Sequence, residues 1–235
     1  MSSFVSLGIV LLSSLGLASL QLPLGTLLLL YHASLGHNVK PRTRRLSSSF
    51  ISGVVLMSFL ILSSMCYLVS ALTFSGSFSV VSLSVLFGIL LALTLLAWFF
   101  YYKRRRSTEL WVPRSVAKFL DTRAKLTSDI SEAFSLGLLT TLSELLFSGV
   151  FYLLAANFIL LLDPLYQVLA LVLVILLSAL PLLVLRILVR TGRTLADVQR
   201  WRLKNKTFFR VFTGLCYLVL AVFLLSFAIL GGLNV

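Results

Sequence analysis

The run VVSLSVLFGILLALTLLAWFFYYKRRR, residues 80–106, decides the fold class of this chain. Its first 23 residues are uncharged, and four consecutive basic residues close it. About 20 apolar residues are what a helix needs to cross the hydrocarbon layer of a bilayer. In lipid, a helix satisfies every backbone N–H and C=O within one segment. Leu, Ala and Phe follow one another here without the alternation of a half-buried strand, so the run reads as a membrane helix. Lys and Arg are retained on the cytoplasmic side, so the cluster at 103–106 fixes that end inside.

The rest of the chain repeats this pattern. Of 235 residues, 59% are hydrophobic and 11% charged, with a mean hydropathy of +1.06. A soluble globular domain carries about 25% charged residues to keep its surface wet, which excludes a soluble enzyme. A disordered basic tail would be poor in Leu, Val and Phe. Five further apolar runs reach spanning length: 4–31, 48–72, 133–162, 165–188 and 208–230. Residues 1–20 are not read as a cleaved signal, because no basic residue opens them and the apolar run continues past any cleavage position.

All 20 Lys and Arg fall in three of the connections. Lys40, Arg42, Arg44 and Arg45 lie between spans one and two, eight basic residues from Lys103 to Lys125 between spans three and four, and eight from Arg186 to Arg210 at the facing ends of spans five and six. Neither terminus and neither other connection contains one. The expectation is an all-α polytopic helix bundle of six transmembrane helices in a cytoplasmic or inner membrane, with both termini outside. The net charge of +13 is then chiefly a record of topology.

The longest connection, 103–132, is expected to hold structure of its own. Val116, Phe119, Leu120 and Leu126 interleave with Arg114, Lys118, Arg123 and Lys125, after Trp111 and Pro113. Pro suits a helix start, and the pattern predicts a short interfacial helix with its basic residues towards anionic lipid headgroups. Asp129 and Glu132 have capping-box spacing at the start of span four. The patch is assigned to topology and lipid, not to nucleic acid.

The two halves resemble one another. Ser6-Leu7-Gly8 in span one comes into register with Ser135-Leu136-Gly137 in span four, and small hydroxyl residues follow in both. The stretch beginning Phe87-Gly88 in span three matches the one beginning Thr213-Gly214 in span six. Three spans is an odd number, so a three-span repeat inserts with opposite orientation. The expected organisation is a 3+3 inverted repeat, 1–102 and 133–235, joined by the linker 103–132. Many transporters use such a repeat to place a site at the midplane.

Spans one and four are the longest and most polar. Span one carries Ser14, Ser19 and Gln21, then Pro23 and Gly25. Proline removes a backbone hydrogen bond and clashes with the preceding turn, and the freed carbonyl must face protein or a wet cavity. Pro181 predicts a second break, in span five. Span four carries Thr140, Thr141, Ser148 and Glu144, the one acid deep inside an apolar run. A carboxyl there faces the bundle interior and marks an ion, proton or substrate path. The expected site is therefore a polar cavity between helices one and four, formed by Glu144, Gln21, Ser14, Ser19, Thr140, Thr141 and Ser148, with breaks at Pro23, Gly25 and Pro181.

No enzyme is expected: the chain has no nucleophile–base pair, phosphate loop or HExxH. No metal or cofactor is expected either, since His32 and His37 have no neighbouring Cys, Asp or Glu and a zinc site needs three or four ligands. Cys66 and Cys216 fall in separate apolar runs. At 1.5 Å per residue their depths differ by about 15 Å, far beyond the roughly 7 Å Cα separation a disulfide tolerates.

With six spans, a three-plus-three pattern and Ser-Leu-Gly openings followed by a Pro break, the chain resembles the LysE-type exporter superfamily and its CcdA/DsbD-type thiol carriers. The resemblance is carried by Leu22-Pro23-Leu24-Gly25, by Ala33-Ser34-Leu35-Gly36 and by the segment opening at Ala133. It implies a LysE-like exporter or carrier of a small solute or ion. The alternatives are a CcdA-like thiol-disulfide electron carrier, although Leu24 rather than Cys follows Pro23 and span four has no Cys, and a non-transporting membrane scaffold. The expected partners are lipid, a small solute or ion, and a second copy of the chain.

Overall fold

Leu-rich, uncharged runs hold helix because every backbone group is paired within the segment, and the computed structural model is helical accordingly. It describes residues 3–20, 22–34, 40–72, 80–101, 114–190, 200–201 and 204–232, and contains no strand among them. The helices are α1 (Ser3–Ser19), α2 (Leu22–Ser34), α3 (Lys40–Leu72), α4 (Val80–Leu96) running into a π-helical turn at Ala97–Tyr101, α5 (Arg114–Leu126), α6 (Ile130–Ser143), α7 (Leu145–Leu160), α8 (Pro164–Arg190) and α9 (Lys206–Gly232). Gln21, His37, residues 103–106, Trp111 and Pro113, each given a role from the sequence, lie outside the described residues.

Among the described residues four segments are long and apolar enough to cross a bilayer: Val5–Leu30, Arg44–Leu72, Pro164–Leu188 and Thr207–Ser226. α6 and α7 make a fifth if the bent pair is one span. Leu165, Val168 and Ile187 of α8 and Phe208, Val211 and Val222 of α9 are exposed. So many exposed large apolar side chains are rare on a soluble monomer and are what lipid requires. The chain is a helical membrane protein.

The interior is two apolar clusters, not one. The larger joins α1, the C-terminal half of α3, α4, α7, the N-terminal half of α8 and α9, with Phe151, Phe158 and Tyr217 fully buried. The smaller joins α2, the N-terminal half of α3, α5, α6 and the C-terminal half of α8 around Phe50. In lipid, helices are held by close packing and interhelical hydrogen bonds rather than by expulsion from water, and both devices are present.

α3 crosses α6 glycine on glycine. A Cβ at Gly53 would run into the Phe134 carbonyl, and one at Gly137 into the Phe50 carbonyl, with the Gly53 Cα only 3.2 Å away. Ser49 fastens the same pair by donating to the Ile130 carbonyl at 2.6 Å. In the other cluster Gly16 lies under the Phe151 ring, which stacks on Tyr217 at 4.4 Å. The Tyr217 hydroxyl then donates to the Phe147 carbonyl at 2.8 Å. Thr213 donates to Ser19 Oγ at 3.0 Å, tying α9 to α1.

α5 is the amphipathic helix the 103–132 connection foreshadows. Leu120 and Ala124 are buried in the smaller cluster, where α5 packs on α2 and α6. Lys118, Phe119, Arg123, Lys125 and Leu126 are exposed. The capping box differs from its expected form. Asp129 is the N-cap of α6 but its side chain makes no cap bond. Glu132 instead accepts from the Ser128 N–H at 3.2 Å, one residue earlier than the box requires.

Candidate functional site

The sequence places no break in span four, and the structure has one. α6 and α7 meet at 78°, and Glu144 is the hinge. No proline is involved. Three hydroxyls in the turn before the hinge donate to carbonyls of their own helix: Thr140 to Leu136 at 2.6 Å, Thr141 to Gly137 at 3.1 Å and Ser143 to Leu139 at 2.7 Å. Such back-bonding loosens and bends a helix. The Glu144 N–H then bonds back three residues to Thr141, at 3.3 Å. The Glu144 carbonyl receives both the Phe147 and Ser148 N–H groups at 3.0 Å, which starts α7 in a new direction.

Span one breaks where Pro23 predicts. α1 ends at Ser19 and α2 begins at Leu22. The Leu20 N–H closes a tight turn onto the Leu17 carbonyl at 3.2 Å, and Pro23 has no N–H to offer the Ser19 carbonyl.

Both breaks lie on the seam between the two apolar clusters. There a cavity of about 40 Å³ opens, lined among others by Pro23, Ser58, Thr141, Glu144, Ser148, Tyr152, Ser178 and Pro181. It is room for roughly one to three waters. Each element contributes where it passes from one cluster to the other. Ser58 lies between Val54 and Ile61 on α3, and Ser178 and Pro181 between Val174 and Leu182 on α8. The polar layer is thus at the middle of the long helices, with apolar packing above and below.

The polar contacts are specific. Tyr152 donates to Ser58 Oγ at 3.0 Å, joining α7 to α3 across the seam. Thr141, Glu144 and Ser148 are all buried. Ser148 Oγ is one of three buried side-chain atoms without a hydrogen-bond partner among the described residues, with Ser13 Oγ and Trp98 Nε1. An orphaned hydroxyl against a polar cavity is where a bound water or ion is expected.

Of the residues nominated from the sequence, Glu144, Thr141, Ser148, Pro23 and Pro181 come together here, although Pro181 does not break its helix, which runs unbroken from Pro164 to Arg190. Ser14, Ser19 and Thr140 are buried but do not line the cavity. Ser14 donates to the Val10 carbonyl at 2.6 Å, Ser19 to Gly16 at 2.6 Å and Thr140 to Leu136 at 2.6 Å, so they shape their helices. Gly25 is half-buried on α2, away from the lining.

Sequence reasoning missed Ser58, Tyr152 and Ser178. Ser178 carried a usable signal, three residues before Pro181 in an apolar run. Ser58 and Tyr152 carried none, because one serine and one tyrosine are ordinary in such helices. Both cysteines are free, Cys216 buried and Cys66 half-buried, and neither lines the cavity. Tyr152→Phe is expected to lower the unfolding free energy in detergent by about 1 kcal/mol. A midpoint equal to wild type would show that the Ser58 bond contributes nothing.

No protein-family model, no curated protein and no solved structure matches the chain.

Proposed function

We propose that the protein is a membrane carrier for a small solute or ion, with the seam cavity as its central site and Glu144 as the group that binds or shuttles charge. The observation that carries this reading is the convergence of two helix ends, at Ser19 and at Glu144, on one cavity into which several polar side chains project. Carriers place substrate at the midplane, between discontinuous helices in corresponding positions of two halves. A structural bundle has no use for a carboxyl and an unbonded hydroxyl in its middle, since each costs stability there.

Six spans follow on this reading if α4 and its π-helical turn cross as one helix beside the bent α6–α7 pair. The helix contacts support an inverted repeat. Span two packs on span four as span five packs on span one, and α4 packs on α9, the pairing expected when halves exchange by a two-fold. The basic connections then face the cytoplasm and both termini the outside. This is the architecture the LysE-type resemblance implies. The exposed Lys118, Arg123 and Lys125 of α5 would meet anionic headgroups. A scaffold reading would have spans one and four packed without a polar cavity. A thiol relay would need a cysteine at the cavity.

The test is electrical. Proteoliposomes on a solid-supported membrane are perfused with a panel of amino acids, organic acids and alkali cations. Wild type is expected to give a transport current with at least one of them, and Glu144→Gln to lose it. Wild-type traces equal to empty liposomes across the panel would sink the carrier reading.

A further inference from the structure

The cavity's chemistry narrows what it holds. The polar side-chain atoms that the described residues bring to it are all oxygens: the Glu144 carboxyl, the Thr141, Ser148, Ser58 and Ser178 hydroxyls, and the Tyr152 phenol. Among the described residues no Lys, Arg or His lines it. A hydroxyl has one hydrogen, and most of these are already committed. Thr141 gives its hydrogen to the Gly137 carbonyl at 3.1 Å, Ser178 to Ile175 at 2.9 Å and Tyr152 to Ser58 Oγ at 3.0 Å. What these groups have left is lone pairs. The surface is therefore acceptor-rich, which repels an anion and suits a hard cation.

Size and charge select further. A cavity of about 40 Å³ is far below the 300 Å³ at which drug-sized ligand pockets begin. A single carboxylate neutralises one positive charge, whereas all-protein sites for divalent ions gather several. Ser148 Oγ, buried and without a partner, is the spare ligand. We propose that the seam cavity is a binding site for a sodium-sized monovalent cation, held by the Glu144 carboxylate with the Thr141 and Ser148 hydroxyls. The assignment deepens the carrier reading and rests on it for any role in transport, but binding itself is measurable without flux.

The protein in detergent is melted at fixed pH and ionic strength while sodium chloride replaces choline chloride, whose cation is too large for the cavity. The wild-type midpoint is expected to rise saturably with sodium. Ser148→Ala is expected to need roughly tenfold more sodium for half the rise, from loss of one ligand to a charge. Glu144→Gln should show no rise. A wild-type midpoint indifferent to the exchange overturns the site, as does a Glu144→Gln protein that keeps the full rise. Should that variant fail to fold, an unshifted Ser148→Ala curve overturns it alone. Sodium-dependent melting with no current from any solute would leave the site and remove the carrier; current with sodium-independent melting would do the reverse.

Discussion

Gly137→Ala is expected to destabilise the protein by about 3 kcal/mol, at the upper end of the overpacking range, while Gly8→Ala is neutral or stabilising. Helix propensity alone favours alanine at both positions, by up to about 1 kcal/mol. At Gly8 nothing lies within 4 Å of the new Cβ, so propensity decides. At Gly137 the Cβ meets the Phe50 carbonyl, with the Val54 nitrogen at 3.0 Å and the Gly53 Cα at 3.2 Å. All three are backbone, and a helix backbone cannot step aside as a flexible side chain can. α3 and α6 would have to separate, loosening the cluster around Phe50 and Leu136. The opposite signs are measured by unfolding midpoints in one detergent. Equal shifts for the two variants would refute the glycine-on-glycine crossing.

Glu144→Gln is expected to lower transport current roughly hundredfold, equivalent to about 2.7 kcal/mol of lost stabilisation of the loaded state. Gln keeps the size and hydrogen-bonding reach of the side chain but can neither carry a negative charge nor exchange a proton. Its folding stability should stay within about 1 kcal/mol of wild type, because Gln keeps the shape and hydrogen-bonding reach of the side chain and the backbone bonds at the hinge are unchanged. Glu144→Asp keeps the charge on a shorter arm and should retain an intermediate current. A Glu144→Gln protein with wild-type current would remove Glu144 from the transport cycle.

The same two residues show how much was legible beforehand. Glu144 stands out in any reading of the sequence, because a lone acid in an apolar run must have a partner or a purpose. That it is also a hinge was not legible. The usual breakers are Gly and Pro, and neither stands at Glu144; three hydroxyls bonded to their own carbonyls precede the bend. The glycines show the converse limit. Gly8 and Gly137 sit in identical Ser-Leu-Gly triplets, yet one faces open space and the other a neighbouring helix. The breaks do not keep the triplets' register either: α1 ends 11 residues after Gly8, at Ser19, whereas α6 ends six after Gly137, at Ser143.

By itself, the sequence determined the class of the protein. Long uncharged runs have no soluble option, and lipid admits them as helices. It also marked Pro23, Pro181 and Glu144 as places where a regular apolar helix is costly. Only the tertiary structure decided that these three places face one cavity, and that Ser58, Tyr152 and Ser178 join them there. A helix sequence states what its faces offer, but which faces meet depends on crossing geometry, set at Gly53 and Gly137 by the close approach of two backbones.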